Sequence, residues 1–576
     1  MSTFADRLTQ HDPWTGLMMG NHALVRAMLE SGVMVATTYP GSPTPEIADA
    51  IMSIPEDQRP LHFEYCTNEK VALEVAFGAA INGHLSTVFF KSVGLNVALD
   101  SAVQLSMMET IGGMVVVLGD DPGANSSQNE QDNRHIARMA YLPMFEPGTP
   151  AEVHEMFKAA AELSQRINMP VFLRLTTHVC HAREVVAFEA LPEREPDWTA
   201  RYDPENGPYW PITSQVFPLK RRAMAKLSAV ATEADDSPLN VVISPNGDSA
   251  ATGKRLGIIA SGIPAFAALE CLHDSGAAVD LLKLGITHPL PEQQLLRFLN
   301  EHDEVLVLEE LDRVLETDIK AFAFDSGVET RLRVRTEIDQ LMGEYTPART
   351  WELLSQTWPE VFAPRPVQAA IEAEVSPRLA QMCPGCGHRS AFHAIRELLR
   401  EEFPAAITVA DIGCHSLGSL EPYEMGTVLM CMGHSSGTGA GLSLGNRKRP
   451  VVSFIGDSTF YHAGLPAIIN AIMHNHNLTL VVMENYTTAM TGHQPTAGSG
   501  EFGDKISIPD VLTALGCDFV RSIDAYRQAE LQDIMREAIA HDGFAVVIAK
   551  HPCMLKFIRD KQRKLAARKQ AETVNR

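Results

Sequence analysis

Hydrophobic residues in the first 190 positions occur either in short uninterrupted runs or at helical spacing. The short runs are VMVATTYP, STVFF, MVVVLGDD and PVFLRL, and amphipathic segments such as NEKVALEVAFGAAINGH separate them. Buried strands that alternate with amphipathic helices are typical of a doubly wound parallel sheet. The pattern therefore predicts a first α/β domain over residues 1–195.

The same pattern recurs twice further along the chain. RLGIIASG, AVDLLKLG and DEVLVLEEL predict a second α/β domain over residues 251–350, and AAITVADIG, PVVSFIGD, LTLVVMEN and FAVVIAK predict a third over 375–560. Stretches rich in Pro, Asp, Ser and Gly predict an irregular linker over 196–250 and a shorter one over 351–374. The basic run KFIRDKQRKLAARKQ predicts a C-terminal helix and tail over 561–576, either solvated or bound to an acidic partner.

Composition and charge exclude several classes of function. The chain has 71 acidic and 48 basic residues, a net charge of -23, which opposes binding to nucleic acid or to an anionic membrane. No signal-peptide core and no long apolar run is present in the sequence, so we expect a cytoplasmic protein that does not enter a membrane. Nine cysteines are too few and too scattered for a secreted disulfide framework, which favours metal binding or catalysis wherever they cluster.

Two strand ends in the third domain carry polar residues. Gly456-Asp457-Ser458 ends one predicted strand, and Asn485, 28 positions after Asp457, ends the next. The carboxyl ends of parallel strands lie at the same end of the sheet, where ligands usually bind. There Asp457 and Asn485 offer oxygen ligands for Mg²⁺, and the following helix offers N–H groups for phosphate. The alternative is a simple strand-to-helix turn in which Asp457 is only a cap.

The segment MCPGCGHRS places Cys383 and Cys386 at the start of the third domain, and Cys414 and Cys553 follow later strands. A close pair with two distant single cysteines fits a 4Fe-4S cluster or a tetrahedral zinc site, and the pair alone fits a redox dithiol. The remaining cysteines are interpreted as core thiols: Cys66, Cys180, Cys271, Cys431 and Cys517.

Glu69 lies in the first turn of a predicted helix, beside Thr67 or Asn68 as the cap. A carboxylate at this position either interacts with the helix dipole or is placed for acid–base chemistry. The residue alone does not decide between the two.

Several blocks together resemble one family. YPGSPTPEI, TNEKVALEVAFGAA, VGLNVALDS, GDDPGANSSQNEQD and CPGCGHR are similar to segments of 2-oxoacid:ferredoxin oxidoreductases, most closely to their indolepyruvate-type large subunits, in the same order over almost the whole chain. The resemblance implies a multidomain thiamine diphosphate-binding fold of the α/β class. The first and third domains would bind the pyrimidine and the diphosphate, and the middle domain would resemble the C-terminal domain of transketolase.

The resemblance also implies roles for individual residues. Asp457 and Asn485 would bind Mg²⁺ through their side chains and Thr487 through its carbonyl, next to Gly456 and Ser458. Glu69 would activate thiamine diphosphate, Ser42 would lie near the substrate carboxylate, and His434 would approach the active site. One 4Fe-4S cluster would be held by the four cysteines of the third domain: Cys383, Cys386, Cys414 and Cys553.

The implied activity is oxidative decarboxylation of an aryl or branched 2-oxoacid to acyl-CoA and CO₂. A smaller subunit would complete a dimer of heteromers, and ferredoxin or another carrier would accept the electrons. No cysteine follows Cys553, so we expect the family's two-cluster ferredoxin-like tail to be missing. Two alternatives remain: a non-oxidative decarboxylase or carboligase, and a scaffold subunit whose thiamine site is vestigial.

Overall fold

The structure is a computed structural model that describes residues 4–192, 197–207, 209–247, 253–365, 381–446, 448–501 and 503–574, with side chains described as far as residue 565. The chain divides into two compact units, Met1–Ile371 and Glu372–Arg576. Each unit contains parallel strands with helices between them, so the predicted α/β class is confirmed.

The first unit contains both the first and the middle α/β segments. Its strands are β1 Trp14–Met19, β2 Val35–Thr38, β3 His62–Tyr65, β4 Ser86–Lys91, β5 Met114–Asp120, β6 Met144–Phe145, β7 Val171–Thr176, β8 Arg183–Phe188, β9 Val241–Ile243, β10 Leu256–Ser261, β11 Asp280–Leu284, β12 Ile286–His288, β13 Glu304–Leu308 and β14 Arg331–Arg333. Its helices are α1 Phe4–Leu8, α2 Gly20–Ser31, α3 Pro45–Ser53, α4 Glu69–Ile81, α5 Gly94–Ala102, α6 Arg134–Ala140, α7 Pro150–Ile167, α8 Thr177–His181, α9 Val216–Ala234, α10 Gly262–Ser275, α11 Glu292–Glu301, α12 Val314–Asp325 and α13 Pro347–Thr357.

These strands form two larger sheets and one two-stranded antiparallel pair. The seven-stranded sheet has the order β12-β6-β7-β5-β4-β2-β3, and only β12 runs antiparallel to its neighbour. The five-stranded sheet has the order β14-β13-β10-β11-β9, and β1 pairs with β8. Because β12 comes from the predicted middle domain but joins the first sheet, the two segments share secondary structure.

The segment predicted as an irregular linker over 196–250 contains the 19-residue helix α9 and the strand β9. Leu219, Ala223 and Val230 are buried on one side of α9, and Lys226 Nζ lies 2.7 Å from a carboxylate oxygen of Glu109. This apolar face is narrow and the flanking sequence is rich in Pro and Asp, which is why the pattern predicts a linker. Helix α13 likewise begins before the predicted linker at 351–374 and extends into it.

The second unit is one parallel sheet with helices around it. Its elements are α14 Gly387–Glu402, β15 Ile407–Val409, α15 His434–Ser443, β16 Val451–Gly456, α16 Asp457–Thr459, a π-helical turn Phe460–Gly464, α17 Leu465–Met473, β17 Thr479–Glu484, α18 Ile508–Ala514, β18 Phe519–Asp524, α19 Gln528–Ala540, β19 Ala545–Lys550 and α20 Met554–Val574. The strand order is β15-β16-β17-β19-β18, with every pair parallel.

The predicted C-terminal helix begins earlier than expected, at Met554 rather than residue 561. Searching the described helices finds none long and apolar enough to span a bilayer.

A buried network of charged side chains joins the two larger sheets of the first unit. Arg174 Nε lies 2.6 Å from Asp120 Oδ2, and its Nη1 lies 2.9 Å from Glu146. Arg134 Nη1 lies 2.6 Å from Glu309 at the end of β13, and its Nη2 donates to the Glu310 carbonyl. Buried charges are tolerated when they are paired in this way.

Glu310 is the member of this network that we expect to make stability depend on pH. Burial raises the pKa of its carboxyl to about 7. The folded chain thus binds this proton more tightly than the unfolded chain, and stability falls as pH rises from about 4 through 7, by about 3 kcal/mol at most. Glu310→Gln keeps the oxygen that accepts from the Tyr345 N–H and removes the charge. We expect it to raise the melting temperature at pH 8 and to leave it nearly unchanged at pH 5.

Thermal scans at the two pH values check this expectation, with the exposed Glu301→Gln on α11 as the control. An equal shift at pH 5 and pH 8 would contradict the assigned proton.

Candidate active site

Asp457 follows β16 directly and is 2% exposed. Its Oδ2 accepts hydrogen bonds from the backbone N–H groups of Asn485 at 3.0 Å and Tyr486 at 2.6 Å. Its Oδ1 accepts from the Ser458 N–H at 2.8 Å. The carboxylate therefore joins the ends of β16 and β17, the two neighbouring strands from which the site is predicted.

The loop after β17 is held in a tight turn. Tyr486 has a φ of +65°, in the left-handed region, and Asn485 Oδ1 accepts from the Thr487 N–H at 3.0 Å. Thr487 Oγ1 donates to the Gln494 carbonyl, and Ser458 Oγ lies 2.9 Å from Thr488 Oγ1. The predicted residues Ser458, Asn485 and Thr487 thus lie at one sheet edge with Asp457.

These residues fit a divalent cation. Burial raises the pKa of Asp457 to about 7, and the nearby charge of Glu484 also raises it. A bound Mg²⁺ would offset the cost of keeping a buried carboxylate charged, and carboxylate, amide and carbonyl oxygens are the ligands that Mg²⁺ takes. Glu484 Oε2 is buried and has no hydrogen-bond partner within the described residues, and Lys550 Nζ, 3.7 Å away, partly offsets its charge.

The helix after Asp457 differs from the expectation. The Ser458 N–H is already bound to Asp457, and α16 passes into a π-helical turn. The N-terminus of α15 is occupied as well, because Asp411 accepts from the Gly433 N–H at 2.8 Å and the Ser435 N–H at 2.9 Å. Sequence reasoning missed Asp411, whose only signal is its position at the end of a predicted strand.

His434 is the first residue of α15 and is buried. Its Nε2 accepts from the Met430 N–H at 3.0 Å, so Nδ1 carries the proton and donates to Thr438 Oγ1 at 3.0 Å. Burial lowers the pKa of the ring. The imidazole is therefore neutral, with both nitrogens engaged.

The four predicted cysteines come from three separate segments of the second unit. Cys383 and Cys386 form a turn closed by a hydrogen bond from the Cys386 N–H to the Cys383 carbonyl, and Cys386 caps α14. Cys414 begins a 3₁₀ turn after β15, and Cys553 follows β19. The Cys553 N–H donates to the Asn485 carbonyl at 3.3 Å, which connects the cysteines to the Asp457 site.

The four cysteines influence one another electrostatically. Burial raises the pKa of Cys414 to about 12, and negative charge on Cys386, Cys553, Cys383 and Asp457 raises it further. Burial also raises the pKa of Cys386, to which charge on Cys553 and Cys383 contributes. Thiolates gathered in this way need a cation or a cluster to remain charged.

A redox dithiol is favoured by the position of Cys386 at a helix start but opposed by its pKa, since reactive dithiols have a lowered one. The five remaining cysteines are predicted to be core thiols, and their burial tests this. Cys66, Cys180, Cys271 and Cys517 are buried, as expected of core thiols, whereas Cys431 is exposed and so is not one.

Histidines that the sequence did not single out as ligands lie beside the cysteines. A ring nitrogen of His388, one of His551 and Cys386 Sγ lie within 4.8 Å of one another, and His388 Nδ1 is 3.3 Å from the sulfur. His415 packs against the backbone of Gly456, where an added Cβ would meet its ring at 2.9 Å. These imidazoles lie beside Cys386 and Gly456, and a mixed set of cysteine and histidine ligands is also typical of zinc.

In the first unit, Glu69 begins α4 and is 5% exposed. Asn68 is its cap, since Asn68 Oδ1 accepts from the Val71 N–H at 2.9 Å. A Cβ at Gly94 would lie 2.8 Å from Glu69 Oε1, so only glycine lets α5 approach the carboxylate this closely. Glu69 is therefore held in a tight, buried position.

Ser42 lies in the loop between β2 and α3, at the same sheet edge as Glu69. Lys91, at the end of β4, connects them: its side chain contacts Gly41, where a Cβ would lie 2.7 Å from Lys91 Cγ. Burial lowers the pKa of Lys91, while the charges of Asp121 and Glu69 oppose this. Sequence reasoning missed Lys91, although a lysine that ends the apolar run STVFF is an available signal.

Two family models match segments of this chain. Residues 26–235 match the family model of pyruvate flavodoxin/ferredoxin oxidoreductases, thiamine diphosphate-binding, and residues 411–549 match the C-terminal TPP-binding domain of thiamine pyrophosphate enzymes. The second match includes Cys414, Asp457 and Asn485. Thiamine diphosphate is therefore supported as the cofactor.

Curated relatives match over most of their length. Indolepyruvate oxidoreductase subunit IorA of Methanothermobacter thermautotrophicus is 39% identical over 93% of this chain and 87% of its own. Its counterpart in Pyrococcus horikoshii is 36% identical over 94% and 86%. Among solved structures, the 2-oxoglutarate:ferredoxin oxidoreductase of Magnetococcus marinus is 15% identical, with 60% of this chain and 65% of that chain covered and a TM-score of 0.47, too low to establish a common fold.

The identity to these relatives extends through both compact units and both family-model matches. The chain belongs to the IorA family of indolepyruvate oxidoreductase subunits, within the thiamine diphosphate-dependent 2-oxoacid oxidoreductases, and is an oxidoreductase subunit.

Proposed function

We propose that this chain is the catalytic subunit of an enzyme that oxidises an aryl or branched 2-oxoacid of the indolepyruvate type. The observation that carries the proposal is the link between four cysteines, from three segments, and the Asp457 site: charge on the other three and on Asp457 raises the pKa of Cys414, and the Cys553 N–H donates to the Asn485 carbonyl. A non-oxidative decarboxylase has no use for an electron exit there. The names of the curated relatives support the substrate class.

Asp457 and Asn485 would bind Mg²⁺ through their side chains and Thr487 through its carbonyl. The magnesium would hold the diphosphate of the cofactor beside Gly456 and Ser458, with the neutral His434 nearby. When bound, thiamine diphosphate supplies a thiazolium ring that stabilises negative charge after loss of CO₂.

Glu69 would hold a proton at one of its carboxylate oxygens for the pyrimidine of the cofactor, and Ser42 would donate to the substrate carboxylate. Burial of Glu69 against Gly94 keeps water away from that carboxylate.

Cys383, Cys386, Cys414 and Cys553 would hold one 4Fe-4S cluster. The balanced reaction converts a 2-oxoacid, coenzyme A and two oxidised one-electron carriers into acyl-CoA, CO₂, two reduced carriers and a proton. We further propose a smaller partner subunit, a dimer of such heteromers and a cytoplasmic location, where the reducing environment preserves thiolate ligands.

Metal analysis and turnover of the anaerobically purified complex test the proposal. We expect about four iron and four sulfide per chain, because one 4Fe-4S cluster contains that number. We also expect viologen dye reduction that requires both a 2-oxoacid and coenzyme A. Zinc in place of iron, or an aldehyde formed without any acceptor, would overturn it.

A further inference from the structure

Helix α20 leaves directly from the cysteine set. It begins at Met554, one residue after Cys553, and the Phe557 N–H donates to the Cys553 carbonyl at 2.9 Å. With a rise of about 1.5 Å per residue, the stretch from Met554 to Leu565 extends only about 17 Å from this cysteine. A protein bound on this part of α20 would lie beside the proposed electron exit.

The described part of α20 presents an exposed surface that is both apolar and basic. Leu555, Phe557 and Ile558 are 48%, 54% and 47% exposed. Between Leu555 and Leu565 the helix also carries one acidic residue, Asp560, and five basic residues: Lys556, Arg559, Lys561, Arg563 and Lys564. Exposed apolar side chains in a charged rim are a usual composition of protein–protein contact surfaces.

Two contacts anchor the inner side of this helix. Lys556 forms an ion pair with Glu501, and Arg559 Nη2 donates to the Gly492 carbonyl at 3.3 Å. Lys561, Arg563 and Lys564 are exposed beyond these anchors. The outer charges are therefore available on a helix whose base is fixed next to Cys553.

The sign of the charge selects the partner. A chain with a net charge of -23 repels an acidic protein over most of its surface, so an acidic protein is captured only where positive charge is concentrated. Arg389, exposed at the start of α14 and three residues after Cys386, adds positive charge near this cysteine. Nucleic acid, which is also anionic, would meet the same overall repulsion and has no role at an electron exit.

We propose that the exposed residues of α20 between Leu555 and Leu565 form the docking surface for an acidic one-electron carrier protein. The proposal rests on the proposed function, because it assigns that carrier to the electrons leaving the four cysteines. The apolar residues nearest Cys553 form the contact, and Lys561, Arg563 and Lys564 orient the approaching carrier. A small, charge-steered interface of this kind binds weakly and exchanges quickly, as repeated electron transfer requires.

Charge reversal on α20 tests the surface. The test variant combines Lys561→Glu, Arg563→Glu and Lys564→Glu in the full complex. The matched control combines Arg400→Glu, Lys448→Glu and Arg449→Glu, which makes the same change in net charge. Arg400 precedes β15, and Lys448 and Arg449 precede β16, so the control residues lie at the opposite edge of the parallel sheet. The probe is an acidic ferredoxin with two 4Fe-4S clusters.

We expect the α20 variant to bind the ferredoxin at least tenfold more weakly at low salt, with a flatter dependence on salt, and the control to change less than twofold. Viologen reduction and the KM for the 2-oxoacid are expected to stay the same in both. Equal weakening in both variants, unchanged binding in the α20 variant, or loss of the partner subunit from that variant would overturn the docking surface. So would a wild-type complex that fails to bind the probe.

Binding is measured by calorimetry without turnover. A wild-type complex without 2-oxoacid oxidation in the viologen assay contradicts the proposed function alone, and the calorimetric comparison still decides the docking surface.

Discussion

Glu69→Gln is expected to lower the rate of 2-oxoacid oxidation by about 10²- to 10⁴-fold, the usual contribution of one positioned acid–base group. The amide has the same shape as the carboxylate, so the close approach of Gly94 is preserved. The amide oxygen of the variant cannot hold a proton for the cofactor as the carboxylate of Glu69 would. The loss should therefore appear in kcat, measured by viologen reduction, while iron content remains at the wild-type level.

Glu74→Gln is the control for this change because it lies on the same helix α4 with an exposed side chain. Glu74 pairs with Lys70, and an exposed pair contributes at most about 1 kcal/mol to stability. A similar loss of activity in both variants would assign the effect to the helix and not to Glu69.

Cys414→Ser is expected to abolish electron transfer to any acceptor and to reduce bound iron to a small fraction of the wild-type amount. A cluster that loses one of four thiolates loses a covalent ligand, and the serine hydroxyl is a much weaker ligand for iron than a thiolate. Binding of thiamine diphosphate, followed by protein fluorescence, should weaken far less than iron binding does, because Asp457, Asn485 and Thr487 are untouched.

Cys431→Ser provides the matched control, since this cysteine belongs to the same unit but is exposed. It should keep wild-type iron and activity. If Cys414→Ser retained its iron, the cysteine assignment would be wrong, and His388 and His551 would become the ligands to test next.

The central strands were readable from the sequence because their apolar runs are continuous. Strands β5 and β16 are buried along their whole length, and a short continuous apolar run between turn residues is typical of a buried strand. Strand β18 is the outermost strand of its sheet and buries only Phe519 and Ile523, so its apolar pattern is weak. Strand β12 has three residues and is defined only by pairing with a distant strand, which local pattern does not reveal.

The residues of the candidate site likewise divide into those that the local sequence predicts and those that depend on distant parts of the chain. Asp457 and Asn485 follow strand ends, so their meeting follows from the geometry of a parallel sheet. Lys91, Asp411 and His551 matter through neighbours distant in sequence, and a single chain carries no record of those approaches. The roles of Glu69, Ser42 and the four cysteines stay predictions that the variants above decide.

The hydrogen bond from the Cys553 N–H to the Asn485 carbonyl has a thermodynamic consequence. It joins the loop that would carry a cluster ligand to the loop that would carry a magnesium ligand, so ordering one loop lowers the entropy cost of ordering the other. Linkage then requires reciprocity. If bound diphosphate raises the affinity for the cluster by some factor, the bound cluster must raise the affinity for the diphosphate by the same factor. Assembly of the two proposed sites would therefore be cooperative, and a chain that has lost its iron should also release its cofactor somewhat more readily.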